Sequence, residues 1–358
     1  MMKRLIFIIP LMAALLIGCE GWDDEKSLPP GRGRPGEVLL VIDSLKWHNR
    51  IGSELRITFN ETVEGLPRDQ SMFELRHVAP FDFKSILLHA RNLVLLIPLY
   101  DQTSQDLRMR NFFNKISIDS MEANPGLFIV TKKNLFATDQ QVMFLIGHSP
   151  DDFVDKIIRN RDVIRKFFND VEEMRAARNL YAIKEEKIIG SHLKKEYNFD
   201  MRVPYSFKIA QNSEKFVWLR LPDQKIDKNI VIIYKDYLDI KEFELENLLR
   251  WRNQVFREQI FGDPENPESY VKTETIIPPV SRQVTFNGKY SVQIKGLWKT
   301  NNISMGGPFI SYAFVDQVLN RLYYIEGFIY SPSEDQRELI RETDVILKTF
   351  RTSDMKEN

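Results

Sequence analysis

Ser149-Pro150-Asp151-Asp152-Phe153 opens a segment whose apolar residues recur at helical spacing, and Ser331-Pro332 opens another. At a constant offset of 182, nine of the twenty positions from 149 to 168 are identical. They include Ile158/Ile340, Arg159/Arg341, Val163/Val345 and Phe168/Phe350. Both segments carry helix-start chemistry: serine as N-cap, proline where no bonded N–H is needed, and an acid (Asp152, Glu334) two residues further on.

Working outward, the match continues in order. Ile51-Gly52-Ser53-Glu54-Leu55-Arg56 aligns with Ile189-Gly190-Ser191-His192-Leu193-Lys194, and Asn92–Leu96 with Asn229–Ile233. Val130, Lys133, Leu135, Phe136 and Thr138 face Val292, Lys295, Leu297, Trp298 and Thr300. Ordered blocks with matching starts predict a divergent internal duplication.

The repeated pattern reads as helix, three strands, helix, two strands, helix. In the first copy this predicts helices at 45–59, 104–116 and 150–168, with strands near 72–77, 83–88, 93–99, 128–132 and 141–146. An extra strand, 38–42, precedes it. The second copy reads as a charged helix at 172–195, strands at 206–210, 216–221 and 229–235, a helix at 242–256, further strands to Tyr330, and a helix at 332–350. Short links between strands predict an α+β fold of two tandem units, each mainly antiparallel sheet with helices packed on one face.

The growing offset places two insertions in the second copy. One carries Gly262-Asp263-Pro264 and the hairpin signal Asn287-Gly288. The other carries Met305-Gly306-Gly307-Pro308-Phe309. Two glycines before a proline allow close backbone approach or positive φ, and exposed N–H groups there can hold an anion. Together with Trp298 and Lys299, this segment is the candidate binding surface: Trp298, Lys299, Met305, Gly306, Gly307, Pro308 and Phe309.

The N-terminus reads as an address. Lys3 and Arg4 precede an apolar run from Leu5 to Leu16, too short to span a bilayer. The run ends in Leu16-Ile17-Gly18-Cys19, the pattern of a bacterial lipobox, which predicts removal of 1–18 and lipidation of Cys19. Cys19 is the only cysteine, so the chain has neither an intrachain disulfide nor a thiolate metal cluster. Residues 19–36 read as an acidic, then Pro/Gly-rich tether holding the body off the membrane. The remaining boundaries fall at 37–170, 171–352 and a polar tail, 353–358.

Lys+Arg and Asp+Glu are both 50, so no basic excess points to nucleic acid. The five histidines, His48, His77, His89, His148 and His192, have no zinc-protease spacing, and neither a Gly-x-Ser-x-Gly elbow nor a P-loop is present. No cofactor is implied. His148 reads as structural, and Trp218, Trp251 and Trp298 as core residues.

Gly296-Leu297-Trp298, Met305–Phe309 and Glu326-Gly327-Phe328-Ile329-Tyr330 resemble an uncharacterised lipoprotein family of Bacteroidota, a domain of unknown function. Val41-Ile42-Asp43 with Trp47, Leu66-Pro67 and Arg91-Asn92 share that resemblance. It implies lipidation and a bacterial envelope setting, and no activity. The expectation is an outer-membrane lipoprotein facing the periplasm or the cell surface, attached through Cys19, that binds or assembles with an envelope protein or glycan. The competing expectation is an envelope hydrolase of glycan, peptide or lipid, with its site beside the second-copy insertions.

Overall fold

A computed structural model of the chain describes residues 28–355, apart from 224, 261, 263–265, 267 and 303–304. It contains two tandem α+β units, each a sheet with helices packed against it.

The first unit runs β1 (Glu37–Val41), α1 (Ser44–His48), α2 (Arg50–Phe59), β2 (Glu74–Val78), β3 (Asn92–Pro98), α3 (Ser104–Arg110), α4 (Lys115–Ala123), β4 (Ile129–Lys133), β5 (Gln141–Gly147), α5 (Pro150–Arg159) and α6 (Arg161–Leu180). Its sheet has the order β2-β1-β3-β5-β4. The pairs β1–β2, β1–β3 and β3–β5 are parallel, and only β4–β5 is antiparallel. This mixed sheet differs from the mainly antiparallel arrangement expected. The reason is legible in the central strands: β3 (NLVLLIP) and β5 (QVMFLIG) are buried at every position, as strands covered on both faces must be. Leu55, Phe59, Phe153 and Phe168 of α2, α5 and α6 pack on one face, against Val38, Leu40, Val94 and Leu145. Met109 of α3 and Met121 of α4 pack on the other, against Val41, Leu93, Leu95 and Phe144. Helices therefore line both faces, where one was expected.

The second unit runs α7 (Lys187–Tyr197), β6 (Phe199–Asp200), β7 (Lys208–Ser213), β8 (Phe216–Leu221), β9 (Asp227–Asp236), α8 (Leu245–Gln259), β10 (Val271–Thr273), β11 (Val280–Phe286), β12 (Lys289–Thr300), β13 (Gly306–Asp316), β14 (Arg321–Tyr330), α9 (Arg337–Leu347) and β15 (Arg351–Thr352). The large sheet is antiparallel, in the order β10-β12-β13-β14-β9-β8-β7, with β11 also on β12. Helices α7 and α9 cover one face and α8 the other. The units differ in strand direction: β3 and β5 pair in parallel, while β9 and β14 pair antiparallel.

Several local expectations move. The run 83–88 is not a strand; Ser85–His89 forms a 3-10 turn, because Leu87 N–H donates to Lys84 O and Ala90 N–H to Leu87 O. The helix expected over 150–168 breaks at Asn160, whose side chain donates to Lys156 O at 2.8 Å. Helix α6 then continues past residue 170, so the link between units is 181–186 rather than the expected 170/171 boundary. Ser149 caps α5 as read, its hydroxyl accepting from Asp152 N–H at 3.1 Å. The second start does not follow: α9 begins at Arg337, and Ser331 is buried upstream of it.

The Pro/Gly segment also differs from expectation. Rather than standing off the body, 29–32 lies along the first unit. Thr138 N–H donates to Pro29 O at 2.8 Å, Gly31 N–H to Thr138 O at 2.9 Å, and Arg32 N–H to His89 O at 2.7 Å. A Cβ on Gly31 would sit 2.7 Å from Thr138 O, so the glycine permits the approach. The hairpin signal is realised as read: Asn287 and Gly288 both have positive φ, 49° and 84°, joining β11 to β12.

Candidate binding cleft between the two units

The segment singled out from the sequence is not a loop. Gly306, Gly307, Pro308 and Phe309 lie in β13, where Gly306 pairs with Lys299 and Gly307 with Trp298 of β12. Neither glycine has positive φ. Their role is close packing: a Cβ on Gly307 would lie 2.1 Å from Ile329 O. Trp298, Gly307, Pro308 and Phe309 are buried, and the Trp298 indole donates to Ile329 O at 3.0 Å. Lys299 is paired with Glu274 at 3.0 Å, and Met305 packs at the margin of the α8-side core. These residues come together as sheet interior, and the second-copy insertions supply strands β10, β11 and β13. Cys19 lies outside the described residues.

Beneath α8, Arg252 and Glu326 form a fully buried ion pair through two hydrogen bonds, of 3.0 and 2.6 Å. Tyr324 donates to the same carboxylate at 2.6 Å, and Phe256 stacks 3.9 Å from the guanidinium. Burial opposes the Arg252 charge, but Glu326 outweighs it and holds the guanidinium above its usual value. Every charge is answered in place, so this network braces α8 on the sheet. In the first unit, Lys46 is likewise enclosed by Asp106 at 2.7 Å and Asp101 at 3.0 Å. His148 is structural: its backbone N–H donates to Asp152, and Nε2 lies 3.0 Å from Met121 O.

A large concavity lies elsewhere, where α6 of the first unit meets α7, α9 and β15 of the second. It measures about 1200 Å³. One wall is a single face of α6, with Lys166, Asp170, Glu173, Met174, Ala177 and Tyr181 recurring at helical spacing. Opposite stand Lys194, Arg202, Lys348 and Arg351. Met174 on this wall is 57% exposed.

Lys348 joins the walls, reaching Glu173 of α6 and Asp344 of α9, each at 2.8 Å. Burial works against its charge; the two carboxylates outweigh that and hold its amine well above the ordinary lysine value. Arg351 is anchored differently, donating to Lys348 O and Phe350 O, both at 2.7 Å. Burial pulls its guanidinium below the usual value, and among the described residues its side-chain hydrogen bonds go to backbone carbonyls. The aromatic faces are occupied: Arg202 lies 3.8 Å above the Tyr181 ring, and Phe199 stacks on Phe350. Burial pushes the Tyr181 hydroxyl up to about 12, so it stays a neutral donor, directed at Arg202 O.

Residues 186–349 match the family model described as Domain of unknown function (DUF4837). Residues 31–181 match a second, Domain of unknown function (DUF8532). The chain carries two domains of unknown function. Their limits coincide with the two units and place the junction in the same 181–186 link. No curated protein matches the chain. Among solved structures, a point mutant of the protein Mog1 is similar to part of it, with 9% identity and a TM-score of 0.29, covering 44% of this chain and 92% of that one. The Saccharomyces cerevisiae Ran-binding protein Mog1p is similar at 8% identity and a TM-score of 0.30, covering 44% and 91%. At those values the likeness carries no functional weight.

The sequence reading missed the cleft because its walls come from both units. The α6 face was available as a helical stripe, but a stripe of Lys, Asp, Glu and Met reads as a solvated surface until α9 is placed across from it.

Proposed function

We propose that the protein is a lipid-anchored binding module of a bacterial envelope, held at the outer membrane through Cys19, whose inter-unit cleft receives a polypeptide segment of a partner. The supporting observation is the cleft itself: a basic-leaning groove with exposed Met174 on its α6 wall, shaped jointly by the two units. Methionine adapts to varied apolar contacts, and the Arg351 guanidinium suits a carboxylate. A glycan partner fits less well, because sugar rings stack on open aromatic faces and those of Tyr181 and Phe199 are already covered. The lipobox and the apolar leader support the anchor and the envelope setting.

A photo-crosslinking amino acid at Met174, introduced into the full chain in its native envelope, tests the reading. The expected result is a discrete protein adduct, lost when Arg351→Glu is added and absent with the probe at Val318. No adduct at Met174 above that at Val318 overturns it.

A further inference from the structure

One face of the first unit leaves large apolar side chains in solvent although their neighbours form a closed core. Phe83 is buried between α3 and α4, its ring 6.2 Å from Phe112 and 6.1 Å from Phe136, and the latter two rings are 5.7 Å apart. Outside this aromatic cluster Phe81 is 49% exposed, Ile86 57%, Leu107 42% and Ile116 80%. These residues come from three elements: the 3-10 turn with its lead-in, α3 and the first turn of α4. Exposed Lys84, Arg108 and Lys115 lie among them, and Arg108 is fixed by donating to Pro80 O at 2.8 Å. Asp82 and Asp119 are exposed on the same elements, so charge is mixed. Isolated exposed apolar residues need no explanation, but a group on one layer marks an interaction face.

The path of the N-terminus selects the occupant. The segment 29–32 pairs with Thr138, two residues after Phe136, and with His89 at the end of the 3-10 turn. Leu28, the first described residue, therefore lies at the rim of this face. Cys19 is nine residues earlier, a fully extended reach of at most about 32 Å. A lipid at Cys19 keeps the face within that distance of the bilayer permanently, so contact is intramolecular and favoured by effective concentration.

We propose that the α3–α4 face docks on the phospholipid surface, inserting Phe81, Ile86, Leu107 and Ile116 at the headgroup–acyl boundary beside the lipid anchor. This rests on the reading of Cys19 as lipidated. Docking sets the orientation of the body; the acyl chains supply the attachment.

The test uses the full lipidated chain in vesicles of phosphatidylethanolamine and phosphatidylglycerol. With Cys19 acylated, Ile116→Cys provides the one reactive thiol for an environment-sensitive probe, and Val318→Cys on the second unit is the control. The expected result is a blue shift and several-fold quenching by a bilayer-embedded quencher at 116, with neither at 318. Adding Ile86→Glu, at a 57% exposed position, is expected to abolish the shift while the protein still floats with vesicles and keeps its melting temperature. Equal water exposure of both probes on floating protein overturns docking and leaves the anchor standing. Protein that does not float, with Cys19→Ala behaving identically, overturns both. A shifted probe in detergent at doubled molecular mass overturns lipid as the occupant in favour of a second copy.

Discussion

The side-chain oxygen of Gln70 lies 2.9 Å from the backbone nitrogen of Arg337, accepting a hydrogen bond from the first turn of α9, and 3.1 Å from the nitrogen of Gln336. One unit thus caps a helix of the other, satisfying donors that a helix start otherwise leaves unpaired. Arg337 completes the contact by donating to Ser71 O at 3.1 Å. Gln70→Ala is expected to cost about 1 kcal/mol, the usual loss for a removed N-cap. Gln70→Glu restores an acceptor and meets the positive helix end, so it should recover most of that. Urea unfolding of the full chain measures both; an unchanged midpoint for Gln70→Ala sinks the assignment.

The buried Arg252–Glu326 pair predicts strong non-additivity. Arg252→Met leaves a carboxylate buried without its counter-ion and should cost about 3–5 kcal/mol. The double variant Arg252→Met/Glu326→Leu removes both charges and should recover more than half of the loss. A double-mutant cycle by chemical denaturation gives the coupling, and purely additive effects would contradict the described network.

Two glycines separate steric from conformational causes. Gly307→Ala places a methyl 2.1 Å from Ile329 O, so β13 must shift; we expect a loss of about 3 kcal/mol, the upper range for overpacking. Gly288→Ala meets nothing within 4 Å but must hold φ at 84°, which costs about 1–2 kcal/mol. Thermal melts should rank Gly307→Ala as the more damaging.

Asp354 ties the C-terminal end to the β13–β14 turn, accepting from Gln317 N–H at 2.8 Å and Thr352 at 2.7 Å and pairing with Lys289. Burial pushes its carboxyl up, but Lys289, Thr352 and Gln317 together outweigh burial and hold it below its usual value. A carboxyl depressed in the folded state stabilises fully above the unfolded value, about pH 4, and loses that contribution as pH falls through the folded one. Asp354→Asn should therefore lower stability at pH 7 and flatten the fall in melting temperature below about pH 4. An acid limb parallel to wild type would refute this.

Much of the framework was legible locally. Strand β8 falls on Phe216–Leu221 as read, because its β-branched and aromatic residues announce it. Asn287-Gly288 announced its hairpin, and Ser149-Pro150 its helix. The twin start at Ser331-Pro332 misled because a capping sequence signals a helix only if the following residues are free to coil. Here Ser331 O is bound by the Gln336 side chain at 2.6 Å, and the helix waits for a cap from Gln70.

The candidate site was harder to read for the same reason. Met305–Phe309 has the composition of a turn, yet its glycines serve the narrow gap between β12, β13 and the Ile329 carbonyl. A glycine that frees a backbone and one that makes room for a neighbour look alike in one dimension.

By itself, the sequence determined the tandem α+β plan, since hydrophobic periodicity and turn chemistry act over a few neighbouring residues. The direction of β3 against β5, the burial of Trp298 and Phe309, the cap from Gln70 on α9 and the cleft bridged by Lys348 were decided only by the tertiary structure. Each of these joins residues far apart in the chain, and their energies depend on distances and solvent exclusion that exist only once the two units have packed.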